Sequence, residues 1–356
     1  MRGKHIYILI AAFLFMATFT ACNEDEEALK EEVVVKPDLS TVNEQTVVEP
    51  GEEPEKEDTS QNKSDFIIPT EGVRPLAVMI DNEGTRSLPQ GGLDKAQVIY
   101  EIIVEGGETR LMPVFWGSAP QMIGPVRSSR HYFLDYVMEH DAIYIHFGWS
   151  PRAQSEIPKF NINNINGVGK GGEVFWDITN DKRNWQDSYT SEKRLSECIK
   201  RLKYRTDSSK EHVFKYADSE TELTDGKNAE KINISYSSSY KCGYTYDPEK
   251  REYLRFRKGK PQMERVSGKQ LTAKNIIVQY AANSRIKGDT KDRQNLDNIG
   301  SGKGWYITCG KAVEIKWSKA SRTAKTIYSY MDGTPLSLNP GQTWVQIVQK
   351  NSTVIE

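Results

Sequence analysis

The chain has 356 residues, 27% of them charged, with 48 Lys+Arg against 49 Asp+Glu and a formal net charge of −1. A nucleic-acid partner is not expected, because the N-terminal segment places the body outside the cytoplasm. Four cysteines with no C-x-x-C pair give no case for a zinc ribbon or a dithiol redox motif.

The first segment, Met1-Arg2-Gly3-Lys4-His5, is basic, and an apolar run follows from Ile6 to Phe19, with Thr18 its one polar residue. The run is shorter than the roughly 20 residues that span a bilayer core and has the length of a signal-peptide hydrophobic region. It closes on Thr20-Ala21-Cys22, which resembles a lipobox. That resemblance implies removal of residues 1–21 as a signal peptide and a diacylglyceryl group on Cys22. The body is then expected on the extracytoplasmic face of the cell membrane, lipid-anchored. No later segment is apolar enough to cross a membrane.

Residues 22–65 read as a disordered acidic tether after the lipidated cysteine, since positions 23–65 hold 15 Asp/Glu, 4 Lys/Arg and no aromatic residue. A flexible chain of this length has a root-mean-square span of about 35 Å. Residues 1–22 contribute +2 and residues 23–65 contribute −11 to the total of −1, which leaves +8 on residues 66–356. The neutral total thus hides an acidic leash and a basic body, and a basic body favours anionic neighbours such as envelope polymers or lipid headgroups. Scattered charge that serves solubility alone fits the same numbers.

Residues 66–210 read as an α/β domain. Pro75–Ile80, Gln97–Val104 and Leu111–Trp116 are strand candidates, a helix is predicted over Ser128–His140, and Ala142–Phe147 is a further strand. Strand, helix, strand suggests a crossover with parallel strands. A second helix is predicted over Thr190–Tyr204, capped by Thr190 or Ser191, with Leu195, Cys198, Ile199 and Leu202 as its buried stripe. The polar stretch 205–228 is the boundary. Residues 228–352 alternate β-branched and aromatic runs with turn signals, among them Ile232–Tyr236, Glu252–Arg257, Asn275–Tyr280 and Trp344–Val348. The fold class is therefore α+β: an N-terminal α/β domain with a mixed, partly parallel sheet, and a C-terminal, mainly antiparallel β domain. Cys242 and Cys309 lie in that second region, where an oxidising compartment allows them to pair.

Two constellations carry chemistry. Gly124-Pro125-Val126-Arg127-Ser128-Ser129-Arg130 precedes the first predicted helix, so Arg127, Ser128, Ser129 and Arg130 suit a phosphate or carboxylate at a helix N-terminus. The plainer reading has Ser128 as a cap and the arginines paired with Glu101, Glu105 or Asp135. The other constellation joins Asp81, at the end of the first strand, with Glu101 and Glu105, which share parity on an extended chain, and with His146 at the end of a parallel strand. A histidine and carboxylates beside an anion pocket suit acid–base work or a divalent metal; no cofactor motif is present. Gly300-Ser301-Gly302-Lys303 is not a phosphate-binding loop, because it has the wrong spacing and precedes a strand.

Val78-Met79-Ile80-Asp81-Asn82, Pro89-Gln90-Gly91-Gly92-Leu93, Tyr100-Glu101, Gly124-Pro125-Val126-Arg127-Ser128 and Asn339-Pro340-Gly341-Gln342-Thr343-Trp344 together resemble the YerB-like lipoproteins over about residues 66–350. The resemblance implies a two-domain extracytoplasmic lipoprotein and no particular activity. It also shows departures: Trp185-Gln186-Asp187 stands where the family pattern has Pro-His-Asn, and Pro261-Gln262 where it has Pro-His. Two functions follow as expectations. One is a lipoprotein that binds an anionic envelope ligand, polymer or protein partner. The alternative is a hydrolase or transferase on an anionic envelope substrate, with His146 as base, Asp81, Glu101 or Glu105 orienting it or holding a metal, and the arginines clamping the anion. The binding reading is preferred because of the Arg-Ser segment, the basic body, the long tether and the replacement of the family's histidines, by Gln186 and Gln262.

Overall fold

In a computed structural model, the described residues are 66–117, 120–169 and 171–356. The expected signal peptide, Cys22 and the tether lie outside them. Among the described residues no helix is long and apolar enough to cross a membrane.

The apolar run after Pro75 forms β1 (Leu76–Val78) and β2 (Ile80–Asp81), followed by β3 (Val98–Ile103) and β4 (Thr109–Phe115). Then come α1 (Phe133–Glu139), β5 (Ile143–His146), α2 (Pro151–Lys159), β6 (Asn164–Asn166) and α3 (Glu192–Leu202). The later strands include β7 (Lys231–Ser235), β8 (Lys241–Asp247), β9 (Glu252–Arg257), β10 (Asn275–Tyr280), β11 (Gly300–Thr308), β12 (Lys311–Lys319), β13 (Thr343–Val348) and β14 (Thr353–Ile355).

One mixed sheet carries most of these strands in the order β12-β11-β10-β13-β3-β4-β1-β5-β6. The expected crossover is there: β1 and β5 are parallel, with Leu76 opposite Ile143 and Val78 opposite Ile145. The sheet draws on both sequence regions, because β13 lies parallel to β3, with Trp344 opposite Ile99 and Gln346 opposite Glu101. Residues from 66–210 and 228–352 therefore share a core. Strands buried on both faces read as continuous apolar runs, which explains Val98-Ile99-Tyr100-Glu101-Ile102-Ile103 with its single charge.

The two faces have different covers. Tyr100, Ile102, Val345 and Ile347 point to the side where α1 packs, with Phe133, Tyr136 and Val137. Ile99, Trp344 and Val348 point to the other side, against α3 and a smaller antiparallel sheet in the order β9-β8-β7-β14. Ile232, Ile234, Tyr244 and Tyr253 supply the inner face of that second sheet. On α3, Leu195, Cys198 and Ile199 are buried, and the Ser191 side chain accepts from the Arg194 N–H at 3.4 Å. Such a cap stabilises a helix by about 1 kcal/mol.

The first helix departs from the sequence expectation. It starts at Phe133 rather than Ser128, because the preceding backbone is drawn into strand-like pairing. The Arg127 N–H donates to Met79 O at 2.8 Å, Phe147 N–H to Arg127 O at 2.9 Å, and Ser129 N–H to Gly148 O at 2.9 Å. Arg127–Arg130 is thus not a helix N-terminus. Asp135 and Glu139, the two carboxylates of α1, are both buried. Cys242 and Cys309 are free thiols: the Cys242 S–H points to Gln346 Oε1 at 3.3 Å, and that of Cys309 to Glu220 Oε1 at 3.3 Å.

Candidate functional site

The end of β2 and the loops beside it gather charge. Asp81 is fully buried, and its Oδ2 lies 2.9 Å from Arg127 Nε. The same oxygen accepts from Gln186 Nε2 at 3.0 Å, while Oδ1 accepts from the Glu83 N–H at 2.9 Å. The pairing follows from the backbone: Asp81 N–H donates to Pro125 O at 2.8 Å, which sets Arg127 beside Asp81. Arg127 is also stacked on Trp185, its guanidinium carbon 3.8 Å from the ring centroid, and that ring is 53% exposed.

Arg130 is held by Glu105 in a bidentate pair at 2.5 and 2.8 Å. Between the two ion pairs sits Arg110, opposite Asp81 in the β2–β4 ladder. Arg110 is 2% exposed, donates to the Ser128 carbonyl, and has Glu105 Oε2 no nearer than 3.9 Å. Burial first, and then the Arg130 and Arg127 cations, pull its guanidinium down to about 9. Arg110, Arg127 and Arg130 thus face two closely paired carboxylates, Asp81 and Glu105, with Glu83 also within coulombic reach of Arg127 and Arg110. Ser128 is half-exposed beside them, within 3.4 Å of Arg127 Nη1, and Ser129 is buried.

Glu101 does not join this group. Glu101 lies within β3, whereas Glu105 stands past its end and opens a 3-10 turn over Glu105–Gly107, so the two carboxylates are not held on one strand. Glu101 instead accepts from Asn82 Nδ2 at 3.3 Å, Thr109 Oγ1 at 2.8 Å and Tyr240 OH at 2.6 Å, and pairs with Arg255 at 2.5 Å. Asn82 ties this buried knot to Asp81 and receives Arg257 Nε at 3.0 Å and Gln90 Nε2 at 2.8 Å.

His146 stands apart as well. It is fully buried, with Nδ1 2.8 Å from Gly148 O and Nε2 3.1 Å from Asn164 Oδ1. Burial lowers its pKa, against the two hydrogen bonds. Both ring nitrogens are thus engaged within its own loop and neighbouring strand, and none of its hydrogen bonds reaches Asp81, Arg127 or Arg130. Among the described residues no three His, Cys, Asp or Glu side chains converge in a way that holds a metal.

Arg255, Arg257 and Tyr240 carried no sequence signal of their own, whereas Gln90 and Arg110 fall in stretches similar to the family pattern but were given no role. The two departures from the family pattern do point here. Gln186 binds Asp81 directly, and Gln262 Nε2 donates to Gln90 Oε1 at 3.2 Å, so positions 76 residues apart in sequence meet at Asp81-Asn82. The Gly91-Gly92 turn nearby has a steric reason. Gly92 sits at φ 83°, where a Cβ would fall 2.8 Å from Met122 O, and its N–H donates to Glu264 Oε1 at 2.8 Å.

Residues 68–205 match the family domain described as "Protein of unknown function (DUF3048) N-terminal domain", and residues 232–345 match the corresponding C-terminal domain. The chain belongs to the DUF3048 family. It is 29% identical over 281 residues to the candidate lipoprotein YerB of Bacillus subtilis (strain 168), covering 77% of this chain and 81% of that protein. The crystal structure of the YerB protein from Bacillus subtilis superposes with a TM-score of 0.71 at 27% identity, covering 80% of this chain and 94% of that one. The resemblance read from the separated motifs is thereby shown, and so is the mixed-sheet α+β fold.

Proposed function

We propose that the protein is a lipid-anchored extracytoplasmic lipoprotein that binds an anionic cell-envelope ligand or partner at the Arg110–Arg127–Arg130 cluster. The observation that carries this reading is Arg110: a buried guanidinium with one hydrogen bond among the described residues, to Ser128 O, whose charge burial and the Arg130 and Arg127 cations disfavour against Asp81 and Glu105. A phosphate or carboxylate arriving beside Ser128 would relieve that repulsion and take up donors Arg110 does not use. Arg127 and Arg130 would meet it from either side, each while keeping its own carboxylate. The hydrolase or transferase alternative has less support, because His146 contacts Gly148 O and Asn164 Oδ1 and makes no hydrogen bond to the arginine cluster.

The test is binding of the chain to cell-wall fragments and phosphorylated polymers. An Arg127→Ala, Arg130→Ala double variant is expected to bind at least tenfold more weakly, and Glu105→Gln, which releases Arg130, more tightly. Unchanged binding in both would reject this cluster as the site. The anchor has its own check. Cys22→Ala is expected to move the protein out of the lipidated membrane fraction, with loss of metabolic labelling by fatty acid; retained labelling would place the lipid elsewhere.

A further inference from the structure

A second cleft lies apart from the arginine cluster and shares no residue with it. It is about 290 Å³ in volume, formed where the starts of α1 and α2 meet the antiparallel hairpin of Asn283–Arg285 and Gln294–Leu296. That is near the lower end of small-molecule sites, which run roughly 300–1,000 Å³, and it suits a single ring-sized ligand.

His131 forms part of the wall and is 6% exposed. Among the described residues its ring nitrogens make no hydrogen bond and are not among the fully enclosed polar atoms, so they stay open to the cleft. Burial, with Arg152, Arg322 and Arg130 nearby, pulls it down to about 4 despite the opposing Glu156, so the ring is neutral at ordinary pH. A neutral imidazole offers one N–H and one lone pair.

The charges around the cleft are already matched. Arg322 is held by Asp135 at 2.6 Å and Glu156 at 2.9 Å, and Arg152 by Glu156 at 2.9 Å. An anion would also meet Asp135 and Asp297 in the lining. What remains open is a set of groups that both donate and accept: the His131 ring, the Ser284 hydroxyl and the Asn295 amide nitrogen, whose oxygen already receives Arg152 Nη1 at 3.3 Å. Leu296 and Ile299 add an apolar edge. Mixed donors and acceptors beside a small apolar edge match hydroxyls on a carbon ring.

We propose that this cleft binds a neutral pyranose unit of an envelope glycan, with His131 as the buried hydrogen-bonding anchor and Ser284 and Asn295 as partners on the hairpin. The proposal does not rest on the arginine cluster, and either can fail alone.

The experiment uses the full mature chain in a zwitterionic detergent. The His131 ring proton signal, assigned by its loss in His131→Asn, is followed by NMR during titration with glucose, N-acetylglucosamine and the N-acetylglucosamine tetramer. At least one sugar is expected to shift the His131 signal in a saturable way while the His146 signal stays still. Ser284→Ala and Asn295→Ala, both on the hairpin and away from the core, are each expected to weaken that response severalfold, and the double variant at least tenfold. Inorganic phosphate is expected to leave the signal unmoved. No shift with any of the three sugars, an equal shift with phosphate, or undiminished binding in the hairpin double variant would overturn the proposal.

Discussion

Replacing Arg255 with alanine is expected to lower the unfolding free energy by about 3–5 kcal/mol, the usual cost of stripping one partner from a buried ion pair. Arg255 and Glu101 are both fully buried and 2.5 Å apart. The guanidinium also lies 4.2 Å from the centroid of Trp344 and donates to Tyr244 OH and to Gln262 Oε1 at 3.1 Å. Alanine would leave the Glu101 carboxylate in the core between the two sheets, with three neutral donors and no cation. The measurement is urea unfolding at neutral pH, read as a fall in midpoint at unchanged slope. The second half of the expectation separates charge from packing. In Arg255→Met with Glu101→Gln, the new side-chain oxygen still accepts from Asn82, Thr109 and Tyr240, and no charge remains. That double variant is expected to recover much of the loss, because the desolvation cost of both ions disappears with the pair. A double variant no more stable than Arg255→Ala would show that shape alone sets the cost.

The same residues show where sequence reading succeeds and where it stops. Runs rich in β-branched and aromatic residues found their strands: Glu252–Arg257, Asn275–Tyr280 and Trp344–Val348 were each legible to within a residue, because burial on a sheet face favours those side chains. What was not legible was which face of β9 points inward. Tyr253, Arg255 and Arg257 are buried while Leu254 and Phe256 are only half-buried, so two arginines occupy the core side of a strand whose aliphatic residues suggest the opposite parity. Hydrophobic alternation cannot reveal that inversion; the signal is that Arg255 and Arg257 share parity with Tyr253, and it gains meaning only when Glu101 is known to lie opposite. The candidate site divides along the same line. Asp81 with Arg127 and Glu105 with Arg130 meet, as side chains on adjacent backbone pairings must. Glu101 and His146 go elsewhere, since a 3-10 turn and a β-bridge, both invisible to periodicity, redirect the chain at Glu105 and Ser129. The helix was expected five residues too early for that second reason.

A Lys319→Met variant is expected to lose about 3–5 kcal/mol at neutral pH, and to lose much less in acid. Lys319 Nζ lies 2.6 Å from Glu139 Oε2 with both side chains fully buried, joining β12 to α1. The same carboxylate accepts from Tyr100 OH at 2.8 Å and from Thr326 through N–H at 3.0 Å and Oγ1 at 2.7 Å. Burial by itself raises the Glu139 pKa, but Lys319, with help from His140 and Thr326, outweighs it and holds the group below the ordinary glutamate value. A depressed folded pKa means that this carboxylate contributes stability above its unfolded value, near about 4.3, and that the contribution is lost as pH falls through the folded value. Methionine removes the cation and leaves burial, so the sign reverses. In the variant the folded pKa lies above the unfolded one, and protonation on acidification relieves the buried charge. The stability gap between the two chains should therefore be widest near neutrality and shrink as pH falls toward the carboxylate range. Adding Glu139→Gln to Lys319→Met is expected to narrow the gap at neutral pH and weaken its pH dependence, because neither member of the buried ion pair remains. Unfolding midpoints for the three chains at several pH values decide the matter: a gap that stays constant with pH would mean that lost packing of the lysine stem, and not the stranded carboxylate, accounts for the destabilisation.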